Sequence, residues 1–248
     1  MAENTSTEMT FWDHLEELRG TLFRSGCAII AAALLLFCFK KPLFDFILSP
    51  TTSNFFLYRL MGIKLDMNLI NIEISAQFFI HLKMALICGL ILTFPYVIFE
   101  IWKFIAPALY DNEKAVVRKA FGLASVLFYL GVAVGYLFVL PVCLNFFMNY
   151  SVSDTVNNTI SLNSYISLFT SMVLMIGLIF EFPSVVAVLS RFGIVTREML
   201  RKARKVAFVV ILLIAAFITP SDPFSMFVLS IPLYILYEFS IYLCKKEN

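Results

Sequence analysis

Six apolar stretches of this sequence reach or approach the length of about 20 residues at which a helix crosses a lipid bilayer. They comprise residues 21–39, 78–101, 120–140, 165–190, 206–219 and 224–243. Of the 248 residues, 60% are hydrophobic and 15% are charged, whereas soluble domains have about 45–50% and about 25%. One soluble core of this size cannot bury that surplus. The sequence therefore predicts an all-α, polytopic integral membrane protein, with one membrane domain covering residues 1–248.

The distribution of basic residues predicts how the chain is oriented. Short loops rich in Lys and Arg stay in the cytoplasm, and 14 of the 19 basic residues lie in the N-terminus, the second and fourth loops and the C-terminal tail. The other five lie in or beside the first loop: Lys40, Lys41, Arg59, Lys64 and Lys83. We therefore expect six transmembrane helices, cytoplasmic termini, and first and third loops that face outward.

The fifth stretch is unusually short. Residues 206–219 would form a helix of about 21 Å, against a hydrocarbon core of about 30 Å. The Pro-rich turn at residues 219–223 ends it sharply. We expect a short fifth span with a locally thinned bilayer around it.

Catalytic and metal-binding motifs are missing from the sequence. The five cysteines show no CxxC spacing, the two histidines are far apart, and neither HExxH nor a phosphate-binding GxxxxGK[ST] occurs. We therefore expect no enzyme activity, metal, cofactor or nucleic-acid partner.

An acidic helical face near the N-terminus allows two interpretations. Asp13, Glu16 and Glu17 lie opposite an apolar face of the first helix. The face could be merely solvated and partly neutralised by Arg19 and Arg24. Alternatively, stacked like charges could await an external cation.

Glu113 also has two interpretations. The preceding loop, residues 102–110, is too apolar for an ordinary solvated loop, so its packing would fix Glu113 in place for binding. Equally, Glu113 could simply complement the dipole of the third span. Glu100 and Glu238, each near a cytoplasmic helix end, are expected to be interfacial.

Glu181 lies well inside the fourth apolar stretch. An ionisable residue at that depth costs several kcal/mol and usually marks a functional site. Pro183 lacks a backbone donor and should kink the helix there. We expect Glu181 to face a polar, lipid- or water-accessible groove within the bundle; the alternative is a protonated Glu that joins two helices.

Four motifs resemble those of a known family. They are HLEELR at residues 14–19, WKFIAPALY…E at residues 102–113, FEFP at residues 180–183, and TPSDPF…IPL…YE at residues 219–238. In this order on six spans they resemble the TatC family, the multi-spanning subunit of the twin-arginine protein translocase. Ser221, Met226 and Ala108 depart from the common family pattern.

The resemblance implies a function that composition alone does not. TatC proteins form a concave bundle and receive folded proteins by binding a signal peptide that carries two consecutive arginines. They work with single-span TatA/TatB-type partners and with other copies of themselves in the cytoplasmic (inner) membrane, driven by the proton-motive force. By motif position, Glu17 and Glu113 would contact the arginine pair and Arg19 belongs to the same motif. Glu181 would be the buried polar residue of the concave face, and Pro50 and Asp222 would have structural or partner-contacting roles.

A function from another class competes with this one. An ion-coupled small-solute carrier could use Glu181 as a protonatable relay. Such carriers are usually built from internal repeats, and the two halves of this sequence share no pattern. A membrane enzyme would need a nucleophile–base pair, which we do not find.

Overall fold

The computed structural model describes residues 11–108, 111–151, 153, 158–219 and 222–244, apart from the side chains of residues 11, 13, 108, 111–113, 115 and 116. These residues are almost entirely helical. The helices are α1 (Phe11–Cys38), α2 (Lys40–Leu48), α3 (Phe56–Met61), α4 (Ala76–Ile105), α5 (Asp111–Val134), α6 (Leu140–Asn149), α7 (Leu162–Ile179), α8 (Phe182–Arg191), α9 (Arg197–Lys202), α10 (Arg204–Ile218) and α11 (Pro223–Leu243).

Five helical stretches of the described residues are long and apolar enough to cross a membrane. They are His14–Cys38, Ala76–Ile105, Val117–Asn149, Leu162–Arg191 and Pro223–Leu243, and each overlaps a predicted span. This confirms the prediction of an all-α, multi-pass membrane protein. Helix α10 covers most of the predicted fifth span but has only 15 residues, or about 22 Å. The sixth crossing stays a prediction.

Packing arranges the helices in three groups. Helix α1 lies along α4, the continuous α5–α6 helix packs against α7 and α8, and α11 joins α8 to α10. Small residues permit the closest approach in the middle group: a Cβ added at Gly131 would lie 2.7 Å from Cβ of Phe180. Because that distance is below any real carbon contact, α5 and the end of α7 touch through backbone at this point.

A π-helical segment interrupts the long third span. Residues Gly135–Val139 form it between α5 and α6, so that helical backbone continues from residue 111 to residue 149. Tyr136 and Val139 point into the core, whereas Leu137 and Phe138 are exposed. A π turn holds one residue more than an α turn, which re-aims the side chains within it.

The first predicted outer loop is folded rather than extended. Helices α2 and α3 and a 3-10 turn at Ser49–Thr51 bury Ile47 and Tyr58 completely. Two short parallel strands, β1 (Leu69–Ile70) and β2 (Ile160–Ser161), join this loop to the next outer segment. We call the side formed by residues 40–75, 150, 151, 153 and 158–161 the cap face.

Three tyrosines fasten the cap to the helices. The hydroxyl of Tyr58 donates to the carbonyl oxygen of Pro141 at 3.2 Å. Tyr136 donates to Phe46 at 2.7 Å, and Tyr165 donates to Ile47 at 2.6 Å. Burial also raises the pKa of the Tyr58 hydroxyl, so it remains a donor at any physiological pH.

Candidate functional site

The opposite side of the bundle, which we call the basic face, carries the beginning of α1, residues 100–108 and 111–114, residues 190–205 and the end of α11. It gathers most of the predicted recognition residues. The imidazole of His14 stacks on the ring of Phe104, with centroids 4.3 Å apart and planes inclined by 20°. The HLEELR motif on α1 and the WKFIAPALY motif, which begins in the last turn of α4, are therefore in direct contact.

An ion pair with a buried carboxylate also joins these two helices, with Glu100 one turn before Phe104 on α4. Nε of Arg24 donates to Oε2 of Glu100 at 2.7 Å, and Nζ of Lys103 lies 3.4 Å from Oε1. The Glu100 side chain is only 2% exposed, and that of Arg24 is 47% exposed. A buried carboxylate persists only when such partners offset its lost hydration.

The sequence predicts an interfacial Glu100, whereas the structure buries it in the contact between α1 and α4. Sequence reasoning missed the pair because Arg24 and Glu100 are 76 residues apart. A hint was available: an acid near the end of an apolar span needs a cation, and Arg24 lies at the same depth of the neighbouring span.

Glu17 lies on α1 between the His14–Phe104 stack and the Arg24–Glu100 pair. It is partly buried, and its Oε2 is a buried atom with no hydrogen-bond partner among the described residues. Glu16 and Arg19 are exposed on the same helix. A carboxylate oxygen that is withdrawn from water and unpaired is a ready acceptor for an incoming donor.

Glu113 lies in the first turn of α5, which begins at Asp111 shortly after the WKFIAPALY segment. Its backbone is therefore on the basic face with α1. Its side chain is outside the described part of the structure, so both interpretations of Glu113 stay open.

Glu181 lies where the fourth predicted span breaks. Helix α7 ends at Ile179 and α8 begins at Phe182, which confirms the kink expected from Pro183. The Ser184 hydroxyl donates to the backbone oxygen of Glu181 at 2.8 Å and to its Oε2 at 2.7 Å. The other oxygen, Oε1, is buried and unpaired among the described residues.

A cavity of about 380 Å³ surrounds this carboxyl group. Residues of α4, α5 and α8 line it: Ile98, Ile101, Ile105, Ala120, Phe121, Ala124, Glu181, Ser184, Val185, Val188 and Leu189. Glu181 lines this cavity, but the walls are apolar except for Glu181 and Ser184, whereas the sequence predicts a polar groove. Its hydrogen bonds go to its own helix, and within the described residues it joins no second helix.

Pro50 and Asp222 have visible structural roles. Pro50 is buried in the 3-10 turn of the cap. Asp222 caps α11, with Oδ2 accepting from the backbone N–H of Ser225 at 2.6 Å. Such a cap satisfies one of the orphan donors at the start of the helix.

Comparisons with known proteins agree on one family. The family model described as Sec-independent protein translocase protein (TatC) matches residues 13–232. A Sec-independent protein translocase protein TatC from Blattabacterium sp. subsp. Periplaneta americana is 38% identical and covers 97% of both chains. One of the same name from Desulforapulum autotrophicum is 37% identical over 93% of this chain and 82% of its own length.

Solved structures agree as well. A crystal structure of the twin arginine translocase receptor TatC superposes with a TM-score of 0.76 at 32% identity, covering 93% of this chain and 97% of that one. A second crystal structure of this receptor, in DDM, gives a TM-score of 0.79 at 32% identity and covers 94% and 100%.

Proposed function

The chain belongs to the TatC family of Sec-independent protein translocase proteins, and from this premise we propose that it is the receptor subunit of a twin-arginine translocase. It binds the arginine pair of a signal peptide on its basic face and supports the export of the folded protein attached to it. Its role is binding, without catalysis. The translocase names of its relatives favour this function over the solute carrier.

The contact between α1 and α4 carries the proposal. The His14–Phe104 stack and the Arg24–Glu100 pair join the helix that carries Glu17 to α4, where the WKFIAPALY segment begins. An oxygen of Glu17 is withdrawn from water without a partner among the described residues. A guanidinium presents parallel N–H donors that fit a carboxylate. One carboxylate for each arginine, Glu17 and Glu113, would complete the site.

The remaining parts of the proposal follow the family. The protein lies in the cytoplasmic (inner) membrane with both termini in the cytoplasm, so that the basic face meets the signal peptide. Single-span TatA/TatB-type proteins and further copies of the chain complete the translocase, and the proton-motive force drives transport. In this arrangement α10 is the short fifth span and the bundle is concave.

Titration of a fluorescent twin-arginine signal peptide against the purified protein tests the recognition site. We expect Glu17→Ala and Glu113→Ala each to weaken binding by about 10–150-fold, since a charge-assisted hydrogen bond contributes about 1.5–3 kcal/mol. Higher salt should weaken binding further. A peptide with Lys-Lys in place of Arg-Arg should bind less well, because ammonium groups lack the planar fork.

Glu16→Ala is the matched control, because it removes the same charge from an exposed position one residue away. Its affinity should stay close to that of the unmodified chain. Unchanged binding in the Glu17→Ala/Glu113→Ala double variant would overturn the assignment. An equal loss in Glu16→Ala would mean that net acidity, rather than placed carboxylates, attracts the peptide.

Glu181 belongs to the same proposal as the polar group of the concave face. Its unpaired oxygen in an apolar cavity offers a hydrogen-bond acceptor within the membrane, where acceptors are scarce. Glu181→Ala should impair export while membrane insertion and signal-peptide binding persist. Accessibility of the groove is tested with a cysteine at this position in a background without native cysteines. If that cysteine reacts with neither aqueous nor membrane-permeant thiol reagents, the result contradicts an accessible groove.

A further inference from the structure

The segment that joins α8 to α10, residues 191–205, carries a high net positive charge, and we call it the basic connector. It contains one acid, Glu198, and six cations. The cations are Arg191, Arg197, Arg201, Lys202, Arg204 and Lys205.

Two of these cations form an ion pair with an acid among the residues that the structure describes. Lys202 pairs with Glu198 at 3.6 Å and Arg204 pairs with Glu238 at 2.8 Å. The exposed Arg191, Arg201 and Lys205 form no ion pair with any residue that the structure describes. Six cations against these two acids leave four positive charges uncompensated on one short segment. Such a surface attracts an anionic partner.

The same connector exposes apolar side chains. Phe192 is 43% exposed, Ile194 60% and Met199 55%. Nearby, the guanidinium of Arg197 lies 5.7 Å from the ring centroid of the largely exposed Tyr242. In water these apolar surfaces would be unfavourably hydrated. Cations and apolar groups exposed together are typical of segments that lie in a membrane interface.

Local backbone geometry fixes this arrangement. Gly193 has φ +71° and ends α8. The N–H of Ile194 donates to the carbonyl of Leu189 at 3.1 Å and that of Gly193 donates to Ser190 at 3.3 Å. This pair of bonds is the Schellman motif, which reverses the chain after a helix. The reversal keeps the connector at the level where α8 leaves the membrane, instead of letting it extend into water.

We propose that the basic connector lies in the lipid headgroup layer and binds anionic phospholipid, such as phosphatidylglycerol. Arg191, Arg201 and Lys205 contact the phosphates, and Phe192 and Ile194 insert among the upper acyl carbons. A purely aqueous acidic protein would leave these apolar side chains without cover. The shortness of α10 places Lys205, at its start, close to the acyl region. Its charge therefore stabilises the headgroups that must move toward a span of about 22 Å.

The proposal is tested by measuring the thermal unfolding midpoint of the full-length protein in neutral detergent. Short-chain phosphatidylglycerol is added in one series, and phosphatidylcholine of the same chain length serves as the neutral lipid in the other. Phosphatidylglycerol should raise the unfolding midpoint and phosphatidylcholine should not. The triple variant Arg191→Gln/Arg201→Gln/Lys205→Gln should need more phosphatidylglycerol. We expect the lipid concentration that gives half of the stabilisation to rise at least about tenfold, because each cation near an anionic surface contributes about fivefold in affinity.

Lys40→Gln/Lys41→Gln/Lys64→Gln is the matched control, because it removes three exposed cations from the cap face. Its response to phosphatidylglycerol should stay unchanged. An unchanged response in the connector variant, or an equal loss in both variants, would overturn the proposal. If the connector variant does not fold, the test uses the unmodified protein. Its stabilisation by phosphatidylglycerol must weaken as the salt concentration rises from about 0.1 M to about 1 M, because the screening length then falls from about 10 Å to about 3 Å.

Two further arms separate the lipid from other anions. The double variant Phe192→Ser/Ile194→Ser should weaken the response to phosphatidylglycerol, since a lipid needs the apolar side chains. Inorganic phosphate that stabilises the protein as well as the lipid does would contradict a lipid site. Binding of polyglutamate without any response to phosphatidylglycerol would assign the connector to an acidic protein instead.

Discussion

The cap face and the basic face join their segments by opposite means. On the cap face, three tyrosine hydroxyls donate to backbone carbonyls across 83 to 118 residues of sequence, and two of those tyrosines, Tyr58 and Tyr165, are fully buried. On the basic face, ion pairs such as Arg24–Glu100 and Arg204–Glu238 include at least one partly exposed partner. The contacts on the cap face are neutral and largely buried, and those on the basic face are charged and partly exposed to water.

This difference suits two tasks. Neutral hydrogen bonds between buried groups do not respond to salt, so the cap keeps a fixed shape. Charged groups in contact with water exchange partners at little cost, because water offsets each broken pair. A surface that must bind and release a cationic peptide gains from such exchange.

The largest effect on stability is expected on the cap face. Tyr165 is 1% exposed and donates to Ile47 at 2.6 Å. Tyr165→Ala should lower the free energy of unfolding by about 3–5 kcal/mol, because it leaves a cavity. Tyr165→Phe should lower it by about 1–3 kcal/mol, because it leaves a buried carbonyl without a donor. Denaturant titration in detergent measures both. A loss of stability below about 0.5 kcal/mol in both variants would contradict the idea that buried tyrosine contacts hold the cap face.

A smaller effect is expected on the basic face. Glu100→Ala removes the buried partner of Arg24, but the half-exposed guanidinium can turn to water, so we expect a loss of about 1–2 kcal/mol. Signal-peptide affinity should fall as well, since Glu17 loses its fixed position. The exchanged pair Arg24→Glu/Glu100→Arg should restore part of both losses. No recovery in the exchange would mean that the contact acts through packing rather than charge.

The smallest effect is expected from salt alone. Raising the ionic strength from about 0.1 M to about 1 M shortens the screening length to about 3 Å. In the Tyr165→Phe protein this change should leave the stability loss unaltered. In the Glu100→Ala protein, high salt should reduce the stability loss relative to the unmodified chain by a few tenths of a kcal/mol. The reason is that high salt also weakens the Arg24–Glu100 pair in the unmodified chain, so that less stability remains to be lost. The same shift in both proteins would remove the distinction between the faces.

The sequence predicted the spans more fully than the contacts. The predicted boundaries at 165–190 and 224–243 differ by a few residues from α7–α8 and α11, because apolar length reports directly on membrane crossing. Pro183 predicted the break before α8, since a missing N–H has a local effect. The folding of the cap and the burial of Glu100 depend on partners far along the chain, such as Pro141 for Tyr58 and Arg24 for Glu100. No local pattern encodes such pairings.

The candidate site was predictable only in part. The acidic residues of α1 stood out because like charges at helical spacing are unfavourable. The sequence could not indicate that Glu17 would have an unpaired buried oxygen while the adjacent Glu16 stays exposed, because burial of a carboxylate depends on the neighbouring helix. The cavity around Glu181 forms between three helices and has no signature in any one of them.

The π turn at residues 135–139 gives the long third helix a place where its length can change. Removing one residue from a π turn restores α-helical hydrogen bonding without rotating the helix on either side. Leu137 and Phe138 are exposed, so either could be deleted without touching the core positions Tyr136 and Val139. Length variation among related chains should therefore concentrate here, and an aligned gap in mid-helix would mark a tolerated deletion rather than a broken span.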